Sequence, residues 1–107
     1  MTHQIAAIES PQPMLEGMTL TYSLTWNGAS ALSSPSAIVY KDGAVYTSTA
    51  MPSGSHSVSG NVQVLKPIVA TQGDGGKDMV VIILCTVDGN SEARKMIINV
   101  IKDETNA

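Results

Sequence analysis

Phenylalanine is absent from this chain, and tryptophan and cysteine each occur once in 107 residues. The lone Cys85 forbids an intrachain disulfide. A chain of this length buries roughly 60 to 70 % of its unfolded surface, enough for a core without staples or a structural metal. Charge is sparse: Asp, Glu, Lys and Arg make up 14 % of the residues, against about 25 % in an average domain. Six basic residues against nine acidic ones give a formal charge of −3, which excludes the basic footprint of a nucleic-acid binder. No apolar run reaches the roughly 18 residues of a membrane-crossing helix, so no membrane partner is expected. No Asn-x-Ser/Thr sequon occurs. Residues 1–13 carry no basic segment ahead of an apolar one, and the expectation is a protein made and kept in a reducing cytoplasm. A surface so poor in charge is neutral hydroxyl or is covered by a partner.

What is present has a period of two. Met18, Leu20, Tyr22, Leu24 and Trp26 alternate with Thr19, Thr21, Ser23, Thr25 and Asn27, which predicts a half-buried strand over 18–27 with the apolar row inward. Residues 37–41 and 44–49 flank Asp42-Gly43, a dipeptide that accepts the positive φ angles of a two-residue hairpin turn. That turn sets Tyr40 opposite Val45. A Ser- and Gly-rich connection over 51–60 leads to a short strand at 61–65, which Pro67 stops from continuing as a central strand. Residues 72–78 read as a mobile loop by composition. Strands over 79–87 and 93–102, joined at Asp88-Gly89-Asn90, form a long C-terminal hairpin, and 4–8 adds a first strand. About seven strands at this spacing predict an all-β fold, an immunoglobulin-like antiparallel β-sandwich. No repeat or linker divides the chain, so 1–107 is read as one domain, with 1–13 a candidate arm and 103–107 a polar tail.

The C-terminal hairpin is apolar on both faces. With Val81, Ile83, Cys85, Ile98 and Val100 facing a core shared with Leu20, Tyr22, Leu24 and Trp26, the side chains of Val80, Ile82, Leu84, Ile97 and Ile101 face out. Five large aliphatic groups on one outer face make a patch of the size that marks a partner or subunit interface. The competing expectation is that the N-terminal strand or the long connection folds over that face and buries it within the chain.

Chemistry was sought in every polar cluster. Gly73-Asp74-Gly75-Gly76-Lys77-Asp78 lacks the GK[ST] ending and the following helix that a phosphate loop needs. Asp88-Gly89-Asn90 has none of the alternating acidic ligands of a calcium loop. Cys85, His3 and His56 have no zinc-ligand spacing, and a lone cysteine in an apolar strand is a small hydrophobe. Ser55, His56 and Ser57 are neighbours in sequence, which does not make a triad, and no G-x-S-x-G elbow occurs. Asp74 and Asp78 read as solvated loop carboxylates. No aromatic row offers a sugar platform, because Tyr22 and Trp26 point inward and Tyr40 and Tyr46 diverge. The expectation is a non-enzyme with no cofactor and no metal site.

Several of these segments together have a familiar shape. Gly17 through Trp26, with its Tyr22-x-x-x-Trp26, the Ser-rich stretch through Ser36, Val62-Gln63-Val64-Leu65, and the hairpin turning at Asp88-Gly89-Asn90 with Arg94 beyond it and Ile98-x-Val100 closing it, resemble the small immunoglobulin-like structural proteins of tailed bacteriophages and prophages. The Lys41-Asp42-Gly43 hairpin departs from that family's extended Trp-Thr-Val-Pro segment. The resemblance implies a virion protein without enzymatic activity, placed at the capsid, neck, tail or fibre attachment and made in the host bacterial cytoplasm. Its partners would be other virion proteins, with copies of itself as a homo-oligomer on the particle. A bacterial surface adhesion module is the alternative, though such modules usually come as tandem repeats behind a signal peptide, and a small hydrolase would need a convergent acid, base and nucleophile.

Overall fold

The computed structural model describes residues 2–5, 12–71 and 73–102. Its elements, in chain order, are β1 (Thr2–Ile5), β2 (Gln12–Leu15), β3 (Thr19–Thr25), β4 (Leu32–Lys41), β5 (Ala44–Val45), the one-turn helix α1 (Thr47–Ala50), β6 (Ser57–Ser59), β7 (Val62–Val64), β8 (Ile68–Val69), β9 (Asp78–Val87) and β10 (Asn90–Ile101). Among the described residues that is ten strands where the periodicity predicted about seven, because the N-terminal part is split in two and short pieces bracket the connections.

Two sheets face each other. One runs β1-β3-β7-β6, with β8 also pairing β3; the other runs β2-β10-β9-β4-β5. The predicted β-sandwich is therefore present, antiparallel throughout except at two places: β1 pairs β3, and β2 pairs β10, in parallel. The first strand lies at Thr2–Ile5 rather than 4–8, and residues 6–11 fall outside the described ones, as does the polar tail at 103–107. Of the candidate arm, its strand β1 and the first residues of β2 join opposite sheets.

The core lies where the alternation put it. Leu20, Tyr22, Leu24 and Trp26 from β3 and its end meet Val81, Ile83 and Cys85 of β9 and Met96, Ile98 and Val100 of β10, all buried. Gln63 at the centre of β7 joins the two sheets. It is fully buried, accepts the Trp26 indole N–H at 2.9 Å and donates to the Leu84 carbonyl at 3.0 Å. Both of its polar ends are thus satisfied, as burial requires.

Both Asp-Gly dipeptides turn as predicted. Asp42 and Gly43 have φ of 54° and 77°, Asp88 and Gly89 of 49° and 85°, the left-handed pair of a two-residue hairpin. Tyr40 pairs with Val45 as expected. The strand predicted over 44–49 stops at Val45, however. The Thr47 hydroxyl takes the Val39 N–H at 2.9 Å and so replaces the next ladder bond, and the backbone coils into α1. Met18 is the other departure: it was expected inward and is exposed, because it lies in the turn before β3, where its sulfur accepts the Leu15 N–H.

Candidate functional site

The outer face of the five-stranded sheet is built from alternate residues of four strands. Register places Ile97 of β10, Val80 of β9, Tyr40 of β4 and Val45 of β5 in one row across the sheet. The next row is Lys95, Ile82 and Ile38, and the one after it Ala93, Leu84 and Ser36. The predicted interface residues Val80, Ile82, Leu84 and Ile97 are brought together here, all half-buried. Ile101 lies on the same face beside Leu15 of β2; these two are 46 % and 40 % exposed, and Val45 is 68 % exposed. Sequence reasoning missed Ile38, Tyr40 and Val45 as members of the patch. Their signal was present in the alternation of 37–41, but the neighbouring strand in the sheet was not known.

The N-terminal strands lie at sheet edges, on β3 and β10, and the connection after α1 belongs to the other sheet's side through β6 and β7. The competing expectation, that the N-terminal strand folds over the patch, falls largely on residues outside the described ones.

A polar cluster occupies one end of the sandwich. Asp74 was expected in a solvated, mobile loop, and that reading is corrected: its side chain is only 2 % exposed. Lys41 Nζ donates to it at 2.7 Å, the Tyr46 hydroxyl at 3.1 Å, and the Thr71 hydroxyl and backbone N–H at 2.9 and 3.1 Å. Beside it Glu16, also buried, accepts the N–H groups of Gly73 and Gly75. Burial alone would raise the Asp74 pKa, but the Lys41 ammonium and the hydrogen bonds from Thr71 and Tyr46 outweigh it and hold the carboxyl below its ordinary value. The hydrogen bond that Lys41 donates to Asp74 in turn raises the Lys41 pKa. This cluster is a clamp on the loop.

Burial raises the Cys85 thiol pKa, and Cys85 donates to the Ser33 carbonyl. His56 Nδ1 accepts the Lys66 N–H, and burial lowers its pKa. Among the described residues no three His, Cys, Asp or Glu side chains are grouped to hold a metal ion. Nor is any described helix long and apolar enough to cross a membrane.

At the opposite end a cleft of about 430 Å³ is lined by Leu24, Trp26, Ala29, Val87, Glu92 and Arg94 among others. The Arg94 guanidinium lies over the Trp26 ring, 4.7 Å from its centroid, and faces Glu92 at 3.6 Å. The Asp88 carboxylate at its rim is taken up by the N–H groups of Ser30 and Ala31.

No family model matches the chain, and no curated protein matches it. Among solved structures, the titin domains Z1Z2 in complex with telethonin are similar to it, with a TM-score of 0.48 and 18 % identity over 85 % of this chain. The alignment covers 43 % of that chain, so this protein spans less than half its length. The fold is an immunoglobulin-like β-sandwich, as the two sheets and their strand order set out above.

Proposed function

We propose that this protein is a non-enzymatic structural module that docks on other subunits through the outer face of β10, β9, β4 and β5. The reading is specific about place: an accessory protein of a bacteriophage particle, decorating the capsid or joining parts at the head, neck or tail. It acts by surface complementarity and uses no cofactor. The observation that carries the docking role is the row Ile97, Val80, Tyr40 and Val45 with Ile82, Ile38 and Leu84 beside it, an apolar outer face that is half-buried at its centre and exposed at Val45, Leu15 and Ile101. The low charge of the chain supports it, since a repeatedly contacted surface need not be kept soluble by charge. The resemblance of Tyr22-x-x-x-Trp26 and the C-terminal hairpin to the phage proteins supports the place. Many copies on a symmetric shell make individually modest contacts durable, because each further contact is effectively intramolecular.

Mass spectrometry and electron microscopy of particles purified from the source test the reading. The expected result is the chain at a fixed copy number per particle, with density of its size at one repeated position. Its absence from purified particles would remove the virion role.

A further inference from the structure

We infer that a second copy of this chain pairs edge to edge with β10, antiparallel to it and about a two-fold axis at Ala93. The inference uses the edge of the sheet and is independent of the docking reading of its outer face.

The parity of the ladder exposes that edge. Val100 accepts the Gly76 N–H and donates to the Lys77 carbonyl, on the β9 side, whereas the Ile101 carbonyl accepts the Glu16 N–H from the other flank. Backbone groups alternate sides along a strand, so in β10 the even-numbered residues bond to β9 and the odd-numbered ones point away from it. β2 takes up that second edge only from Ile98 to Ile101. Among the described residues no strand pairs the stretch from Asn90 to Met96, where Ser91, Ala93 and Lys95 turn their N–H and C=O groups outward. Ser91, Ala93, Arg94 and Lys95 are exposed. The Asp88-Gly89 turn bounds the stretch at one end and β2 at the other, and Ala93 is its middle residue.

Charge chooses the partner and the register. A strand edge invites any extended chain, and charged side chains are the usual guard against it. Here the guard is Glu92, Arg94 and Lys95, and it is complementary to itself. A two-fold axis at Ala93 brings Glu92 opposite the Arg94 of the second copy, and Arg94 opposite its Glu92. Ala93 then forms a hydrogen-bonded pair with Ala93, and Ser91 with Lys95 on either side of it. Moving the axis one residue along sets Glu92 on Glu92 or Arg94 on Arg94, and moving it to Lys95 sets that lysine on itself. An axis at Ser91 would run the pairing into the turn. In the single chain Arg94 Nη1 donates to the Ala93 carbonyl at 2.8 Å and faces Glu92 at 3.6 Å. On pairing, the guanidinium gives up that carbonyl to the Ala93 N–H of the second copy and moves to the Glu92 of that copy.

Amide hydrogen exchange of the full chain over a concentration series tests the pairing. The N–H groups of Ser91, Ala93 and Lys95 are expected to exchange fast in dilute solution and to slow as concentration rises, while those of Glu92 and Arg94 stay protected throughout. Sedimentation over the same series is expected to show a monomer–dimer equilibrium, and Ala93→Pro to weaken it at least about tenfold. Because the Ala93 N–H faces away from β9, the proline leaves the folded chain intact. Glu92→Arg and Arg94→Glu are each expected to lose the dimer alone and to recover it when the two variants are mixed. A chain that stays monomeric to about 1 mM overturns the pairing. So does protection of Ser91, Ala93 and Lys95 that is independent of concentration, or a pair of charge variants that stay apart on mixing.

Discussion

Asp74 is the residue whose surroundings most constrain its chemistry. Its carboxylate sits between Lys41 and Tyr46, 33 and 28 residues away in the chain, and the depressed pKa makes the folded state bind fewer protons than the unfolded chain. Stability from this group is therefore present above its ordinary value of 3.8 and is lost as pH falls from there through the lower folded value. Urea unfolding of the chain and of Asp74→Asn should show the variant less stable at pH 7. The gap should narrow as pH is lowered below about 4; an unchanged gap would remove the clamp from the account. None of this was legible locally. Gly73-Asp74-Gly75-Gly76 has the composition of a solvated loop, and only the fold delivers the lysine and the tyrosine. Trp26 is the contrast, since strict alternation over five pairs sufficed to turn it inward. Its hydrogen bond to Gln63 and its cover by Arg94 came only with the packed sheets.

Elements followed local chemistry where two neighbouring residues decide the conformation. The Asp-Gly turns are of that kind, because left-handed φ at both positions matches the strand twist and few other residues tolerate it. They fixed the registers of β4 with β5 and of β9 with β10, and through these the row that makes the outer face. Where a distant group decides, the reading stopped: α1 follows a strand because the Thr47 hydroxyl occupies Val39, and the loop after β8 is held by Glu16 from the other end of the chain. Gly75 shows how tightly that loop is seated. A Cβ there would lie 2.6 Å from Lys102 Cα and 2.8 Å from Glu16 Cδ, so Gly75→Ala must push the loop off its carboxylate. The expected cost is about 1 to 3 kcal/mol, with faster amide exchange at Gly73 and Gly75. A variant as stable as the parent, with unchanged protection, would show the loop free.

For the whole molecule the governing fact is that one sheet is apolar on both sides. Its inner side closes the core with the β1-β3-β7-β6 sheet. Its outer side is apolar too, half-buried at the centre and exposed at Leu15, Val45 and Ile101. Outward-facing aliphatic residues were legible from the hairpin alone, since an alternating strand with no polar row has nowhere to put water. The contribution of β4 and β5 needed the strand order. The double substitution of Ile82 and Ile97 by Thr tests most directly whether that outer side is an interface, with unfolding followed by denaturant and assembly by sedimentation on the same samples. The account predicts cooperative unfolding with a loss of no more than about 1 to 2 kcal/mol, together with a clear drop in association. A variant that unfolds while its assembly state stays as before would mean that these side chains belong to the core, and would contradict it.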